Sequence, residues 1–380
     1  MPVLEISDLI GAWDPATGAR LPVDKGEVVA RLRAAGDRRA VRIVERMPAC
    51  DGFLDPEAVD RLFVRVHTEL QRLGEEIRMA QRFAELLEPL VATARRAGFG
   101  PLRIVDVGCG IGPVTRALAA SGTLGGDVEL IGADLNPVLV AEATRLAEDE
   151  RLTCRFVRRD ALALDEPATF YISSGVLHHL PAASLPGFFQ AQDRPGTAGF
   201  VHYDIAATRL APLGAWVFHR ARMREPLGRH DGVASARRAH GDVVLLDAAS
   251  SAEGMRAFLF APPRHANPCC ATMRPVIGVR PELTEGLRRG LGRRARGLTG
   301  ADGVRGGPGG ARGGAGAARG GAGGARGGAG GAWGGPGVVR GGAGGVGEGT
   351  GGGQGAVGDV REGPDGVRGG VGGVRKGTGG

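Results

Sequence analysis

Apolar residues recur every three or four positions from residue 55 to about residue 98, and this spacing predicts long helices. Asp55 is a suitable N-cap and Pro56 suits the first helical turn. The apolar face of the first helix comprises Val59, Leu62, Phe63, Val66, Leu70 and Leu73. A helical pattern also covers residues 25–47, whereas residues 1–22 have no such period and are expected to be extended and irregular. We therefore predict a helical cap of two to four helices within residues 1–100.

From residue 102 the pattern changes to short apolar runs that alternate with helical segments. Crossovers long enough to carry helices predict a mostly parallel sheet covered on both faces. Two later β-like runs, 255–262 and 272–279, are expected to add an antiparallel edge. The prediction is an α/β, Rossmann-like, doubly wound sheet of seven strands within residues 101–281. Its first five strands are predicted at 102–107, 128–134, 152–157, 169–174 and 198–205.

Residues 206–250 separate the fifth strand from the antiparallel edge and are interpreted as an insert on the substrate side. A helix is predicted over about 210–222. The segment RHDGVASARRAH, residues 229–240, is rich in Arg and His and is expected to be a solvated loop followed by a helix start. Arg237 and Arg238 are the candidate substrate contacts in this segment, because a guanidinium would suit an acidic or phosphorylated group.

The end of the chain has a different composition. More than half of the 69 glycines lie in residues 301–380, interspersed with arginine and alanine. Such a segment cannot bury enough apolar surface to fold, so residues 282–380 are predicted to be a basic, disordered tail. The net charge of +7 lies largely in this tail, which weighs against a nucleic-acid partner of the folded part. The same composition also arises when a GC-rich coding sequence is read out of frame.

The five cysteines show no CxxC pair and no Cys/His spacing typical of a metal site, so no metal is predicted. They are interpreted as reduced thiols of a cytoplasmic protein. The first residues lack the apolar core of a signal peptide, and no stretch is long and apolar enough to span a membrane.

A glycine-rich loop follows the first predicted strand and precedes a helix. It reads DVGCGIG, with Asp106, Gly108, Cys109, Gly110 and Gly112. Glycines permit a tight turn and a close approach of a ligand to the backbone, and the next helix offers free N–H groups. The third glycine of a dinucleotide fingerprint would fall at Pro113, which disfavours a nicotinamide or flavin cofactor.

Three further segments follow in order, each at the end of a predicted strand: GADLNP with Asp134, RRDALAL with Asp160, and SSGVLHHLP beginning at Ser173. Together with the glycine loop they resemble the motifs of class I S-adenosylmethionine-dependent methyltransferases. The last segment resembles the small-molecule, ubiquinone/menaquinone-methyltransferase-like branch. The resemblance covers about residues 102–205.

The resemblance implies that S-adenosylmethionine is the cofactor and that the glycine loop binds it. Asp134, followed by Leu135, would accept hydrogen bonds from the ribose hydroxyls. Asp160 and the Ala161 backbone would contact adenine, Asp106 would hold the methionine amino group, and Ser173 lies in the fourth motif. An N-cap role for Asp134 is the alternative, since Asn136-Pro137 follows closely.

The catalytic candidates are His178 and His179, because an imidazole can act as a general base near neutral pH. Packing near the cofactor is the alternative for both. His202, Tyr203 and Asp204, after the fifth strand, are candidate substrate contacts, and structural roles are the alternative. The function expected is methyl transfer to a small organic acceptor by O- or C-methylation, of the secondary-metabolite or quinone type. The second hypothesis is an RNA-associated methyltransferase or RNA-binding protein that uses the Arg/Gly-rich tail.

Overall fold

A computed structural model describes residues 3–14, 17–261 and 272–300 of the chain, and these residues belong to one compact unit. The tail from residue 301 onward and the pair Cys269-Cys270 therefore lie outside the described residues. The helices are α1 (Ser7–Ile10), α2 (Lys25–Ala34), α3 (Arg38–Glu45), α4 (Pro56–Glu76), α5 (Met79–Arg96), α6 (Pro113–Ser121), α7 (Pro137–Asp149), α8 (Leu185–Gln190), α9 (Ala211–Arg222), α10 (Pro226–Arg238), α11 (Asp242–Ala249) and α12 (Thr284–Leu291). The strands are β1 (Ala49–Cys50), β2 (Phe53–Leu54), β3 (Leu102–Val107), β4 (Val128–Asp134), β5 (Arg155–Arg158), β6 (Phe170–Ser174), β7 (Gly199–Ile205), β8 (Arg256–Phe260), β9 (Met273–Val279) and β10 (Leu298–Thr299).

The central sheet has the order β10-β8-β9-β7-β6-β3-β4-β5. Strands β3 to β7 run parallel, and β9, β8 and β10 add an antiparallel edge. The predicted fold class is therefore confirmed, with β10 as an additional edge strand. The strand order reverses beside β3, so the loops that follow β3 and β6 meet at a switch point where α/β sheets bind ligands.

Successive side chains of β3 face opposite sides of the sheet, as a strand buried on both faces requires. Ile104 packs in the core that contains α5, α6 and α12. Val105 packs in the core that contains α8 and α11. A third core joins α1 to α4 with the start of α10 and with Ile111 of the glycine loop, so the N-terminal helices are packed directly on the loop.

The N-terminal region differs from its prediction in one respect. Asp55 does cap α4 through the N–H groups of Glu57 and Ala58, with Pro56 in the first turn. Residues 5–10, however, are not irregular, because Ser7–Ile10 form the single turn of α1, and Ile6 and Ile10 are completely buried. A helix of four residues does not form on its own, so packing against the rest of the protein stabilises it.

Residues 229–240 also differ from their prediction. They belong largely to α10, in which His230, Asp231 and Ser235 are buried. The ordered elements extend to Thr299, beyond the expected boundary at residue 281. Within the described ranges no helix is long and apolar enough to cross a lipid bilayer.

Candidate functional site

The loop after β3 has a conformation that only glycine adopts without strain. Positive φ angles of 67°, 57° and 71° occur at Gly108, Gly110 and Gly112. A Cβ atom added at Gly108 would lie 2.5 Å from Cγ2 of Val176, and one at Gly110 would lie 2.7 Å from Cδ2 of His67. The loop is thus enclosed by the segment after β6 on one side and by helix α4 on the other.

Asp134, the last residue of β4, is held against this loop. Its Oδ2 accepts a hydrogen bond from the Gly110 N–H at 2.8 Å, and its Oδ1 accepts one from the Asn136 N–H at 2.9 Å. The cap of α7 is Asn136, whose side chain accepts from the Val138 N–H. Each Asp134 oxygen retains a lone pair, so the carboxylate can also accept hydrogen bonds from two neighbouring hydroxyl groups.

Asp106 is buried beneath the same loop near the end of β3. Its Oδ2 accepts a hydrogen bond from the Thr115 hydroxyl at 2.8 Å. Burial raises the pKa of Asp106 to about 7, despite that hydrogen bond and with a contribution from the charge of Asp134. A carboxyl group in this state favours a cationic ligand, because a positive charge nearby would restore its ionised form.

The other predicted cofactor residues lie in different surroundings. Asp160, after β5, is partly exposed, and its Oδ1 accepts a hydrogen bond from the Leu162 N–H at 2.9 Å. Leu135 and Ala161 are also partly exposed, whereas Cys109 is buried, and its burial raises the pKa of its thiol. Ser173 is fully buried within β6, and its hydroxyl lies 2.8 Å from Nδ1 of His202, so its side chain faces the protein interior.

His178 follows β6 and is paired with the end of β7. Its Nδ1 lies 2.8 Å from Oδ1 of Asp204, and its backbone N–H donates to Oδ2 of the same carboxylate at 3.1 Å. Burial alone would raise the pKa of Asp204, but the charge and hydrogen bonds of His178 outweigh it and hold that pKa below its usual range. Asp204 therefore fixes the imidazole with Nε2 directed away from it, 4.0 Å from Oε1 of Glu5.

His179 belongs to an ion-pair network with the N-terminal segment. Its Nδ1 lies 3.2 Å from Asp8 and 3.6 Å from Glu5. Burial would lower the pKa of His179, but the charge of Glu5 and the hydrogen bond with Asp8 raise it to about 9. His179 is therefore protonated near neutral pH and does not act as a base in this state.

Arg238 of α10 completes the network. Its guanidinium lies 2.6 Å from Asp8 and 3.2 Å from Glu5, and it also donates to the His179 carbonyl oxygen at 2.9 Å. Glu5, His178 and His179 place their ligand atoms within 4.8 Å of one another, close enough for a metal ion. Because Arg238 already supplies a positive charge to Glu5, we interpret this cluster as a network of ion pairs.

The N-terminal segment is fixed at this position by Asp231 of α10. The Asp231 carboxylate accepts hydrogen bonds from the N–H groups of Ile6 and Ser7, each at 2.9 Å. His230 lies 2.7 Å from the same carboxylate through Nδ1 and bonds Asp37 through Nε2 at 2.8 Å. Free N–H groups at the start of α1 thus bind a carboxylate, which explains why this short turn is ordered.

The predicted substrate contacts need correction. His202 is fully buried between Ser173 and Gln192, and burial lowers its pKa to about 3. The Tyr203 hydroxyl donates to the Arg82 carbonyl oxygen at 3.2 Å, and its ring is buried as well. Both side chains are therefore part of the core. Arg237 is exposed, and its neighbour Arg238 is the arginine that reaches the histidines.

Sequence reasoning missed several residues of the site, among them Glu5, Asp8 and His67. Glu5 and Asp8 lie in a segment without periodicity, and only the tertiary structure brings them to the histidines. The spacing of His67 was a weak indication of its position: it follows Phe63 by four residues and therefore shares the buried side of α4. Its Nδ1 bonds the Phe63 carbonyl oxygen at 2.9 Å, and its ring covers Gly110.

Comparison with known proteins identifies part of the chain. Residues 104–194 match the family described as "Methyltransferase domain". This segment is a methyltransferase domain. No curated protein matches the chain.

Many solved structures resemble the chain at low sequence identity. Magnesium protoporphyrin IX methyltransferase from Synechocystis is 18% identical, with a TM-score of 0.37, and covers 68% of this chain and 100% of its own. A structure titled for the conversion of a disulfide bond into a thioacetal group during echinomycin biosynthesis is 20% identical, with a TM-score of 0.34, over 50% of this chain and 80% of its own. A TehB-like SAM-dependent methyltransferase from Corynebacterium glutamicum is 16% identical, with a TM-score of 0.32, over 53% of this chain and 96% of its own.

S-adenosylmethionine is the cofactor of this methyltransferase, and the residues around the glycine loop suit it. The cofactor carries two ribose hydroxyls, an ammonium group and a sulfonium centre. Asp134 offers oxygen atoms to the hydroxyls, and the raised pKa of the buried Asp106 favours a neighbouring ammonium group. The glycines permit the positive φ angles that this loop requires.

Proposed function

We propose that this methyltransferase methylates an oxygen atom of a small organic acceptor, with His178 as the general base and Asp204 as the residue that orients it. The hydrogen bond of 2.8 Å between His178 Nδ1 and Asp204 carries this proposal. A buried carboxylate that binds Nδ1–H leaves the lone pair of Nε2 available for a proton, as in other His–Asp pairs. C-methylation of a carbon acid would use the same base and is the second possibility.

The position of His178 supports this role. The residue lies two positions after Val176, whose side chain contacts the glycine loop at Gly108. Its Nε2 faces Oε1 of Glu5 across 4.0 Å, a gap wider than a hydrogen bond. The gap is too narrow to hold an oxygen atom between the two groups, but a hydroxyl oxygen to one side of the line that joins them would lie within hydrogen-bond reach of both.

The reaction balances without a further reactant. The glycine loop and Asp134 would hold S-adenosylmethionine, which would supply a methyl group on a sulfonium whose sulfur would end as a neutral thioether. The acceptor's O–H bond breaks while its oxygen forms the new bond to carbon, and His178 Nε2 takes the proton. Asp204 stabilises the resulting imidazolium, and burial of the site excludes water that would compete for the methyl group.

We further propose that the N-terminal helices and residues 206–250 enclose the acceptor. Helix α10 contacts the segment of His178 and His179 through Arg238, and α4 covers the glycine loop through His67. The quinone-like branch and a cytoplasmic location remain part of the proposal.

Two measurements test this function. Isothermal titration with S-adenosylmethionine is expected to give one binding site per chain, and no binding at millimolar cofactor would refute the cofactor site. Incubation with a metabolite extract and cofactor carrying a deuterated methyl group, followed by mass spectrometry, is expected to yield labelled small molecules. Label found only in RNA would instead favour the RNA-associated alternative.

A further inference from the structure

Helix α9 presents an apolar face that nothing in the described part of the protein covers. It is the one α-helix of the described ranges without a buried residue. The exposed fractions are 71% for Leu210, 59% for Leu213, 47% for Trp216 and 54% for Val217. Because these positions are three, four or seven residues apart, they form one stripe along the helix.

The charges around this stripe have a single sign. Residues 206–222 contain no Asp or Glu, and they include Arg209, Arg220 and Arg222. Arg209 and Arg220 are exposed, while Arg222 is paired with Glu76. The Arg220 guanidinium lies over the Trp216 ring, 6.0 Å from its centroid, so the apolar and cationic groups adjoin each other.

We propose that this face of α9, residues 210–217 with Arg209 and Arg220, binds an anionic lipid surface. A helix with Trp and Leu on one face and Arg beside them lies in the interface of a bilayer, where the apolar side chains enter the headgroup region and the cations meet lipid phosphates. The absence of acidic residues from 206–222 removes the repulsion that such a surface would otherwise meet.

The location of α9 gives this contact a function. The helix begins six residues after the end of β7, the strand that carries Asp204. It also packs on α10, whose Arg238 contacts the segment of His178 and His179. Lipid contact through α9 would therefore bring the catalytic side of the sheet to the membrane surface, where an apolar acceptor is concentrated.

The test uses the full chain with vesicles of equal parts phosphatidylcholine and phosphatidylglycerol, and with vesicles of phosphatidylcholine alone. The protein is expected to cosediment with the anionic vesicles and not with the neutral ones. Leu213→Glu and Trp216→Glu are each expected to reduce the bound fraction by roughly tenfold, because a carboxylate replaces an inserted apolar group. Val243→Glu is the matched control, since Val243 is 44% exposed on α11, and its binding is expected to be unchanged.

Two further results decide the proposal. The tryptophan emission is expected to shift to shorter wavelength on anionic vesicles, and Trp216→Phe is expected to abolish that shift while binding persists. Binding that survives in both Leu213→Glu and Trp216→Glu would assign it to another part of the chain, such as the basic tail, and would overturn the proposal. The protein could also bind no vesicles but self-associate in a way that Leu213→Glu abolishes. That result would show that this face pairs two copies of the chain, and it would also overturn the proposal.

Discussion

His178 and Asp204 are joined twice, through the imidazole Nδ1 at 2.8 Å and through the His178 backbone N–H at 3.1 Å. The two contacts fix both the ring and the loop that carries it to the end of β7. Asp204 lies in the strand next to β6, so the sheet itself sets the position of the base. In the proposed reaction, this relationship determines where the acceptor's proton goes.

Asp204→Asn is expected to lower kcat by about 10²- to 10⁴-fold, because an amide neither holds the required tautomer nor stabilises the imidazolium. Cofactor affinity, measured by titration calorimetry, is expected to change little, since Asp204 does not contact the glycine loop. Full activity in Asp204→Asn would exclude His178 as the base.

Asp134→Ala is expected to weaken S-adenosylmethionine binding by about 10- to 100-fold, the effect of losing hydrogen bonds to a charged group. The substitution also removes the carboxylate that holds the Gly110 N–H. Asp149→Ala serves as the control, because Asp149 is an exposed carboxylate on α7 that pairs with Arg145. Equal affinities for the two variants would remove Asp134 from the cofactor site.

Cofactor binding is expected to depend on pH through Asp106. The folded-state pKa of this acid is raised to about 7, so the carboxyl group is largely neutral below that pH and loses its attraction for an ammonium group. The association constant should therefore fall by about tenfold for each unit below pH 7 and level off above it. Asp106→Asn should bind weakly with no such dependence, and a wild-type profile that is flat from pH 5 to 8 would contradict the assignment.

Gly110→Ala is expected to destabilise the protein more than Gly36→Ala does. Both glycines have positive φ, so each alanine costs about 1–2 kcal/mol of backbone strain. Only at Gly110 does the new Cβ meet a neighbour, His67, whereas nothing lies within 4 Å at Gly36. In a double-mutant cycle measured by thermal unfolding, adding His67→Ala to Gly110→Ala should recover part of the extra stability that Gly110→Ala loses relative to Gly36→Ala. No coupling between the two positions would mean that His67 does not pack on the loop.

Arg238→Ala is expected to lower the free energy of unfolding by on the order of 3 kcal/mol, because it removes one of the two cations that Glu5 and Asp8 share and leaves these carboxylates with the His179 imidazolium. Arg237→Ala, one residue earlier, is expected to be neutral because that side chain is exposed. Chemical denaturation of the two variants measures the difference. Similar stabilities would show that the network contributes little.

Much of the fold could be predicted from the chain because its local patterns agree with the tertiary structure. Asp55 and Pro56 start α4 as their residue types predict, and the parallel strands were recognised from short apolar runs. Residues 229–240 could not be assigned in this way. Their polar residues are typical of a loop, and only burial of His230 and Asp231 against α1 and α3 makes them part of a helix.

The cofactor half of the site was encoded locally, since Asp106, Gly110 and Asp134 lie in short motifs at strand ends, and the topology of a parallel sheet brings such ends together. The surroundings of His178 and His179, where we propose that the acceptor binds, were not encoded in this way. Glu5 and Asp8 are more than 160 residues from His179, and the Asp231 carboxylate brings them there by binding the N–H groups of α1. The sequence by itself therefore determined the fold class and which strand ends are predicted to hold the cofactor. The tertiary structure alone decided which groups adjoin His178 and His179, because contacts between distant segments leave no period or spacing in the chain.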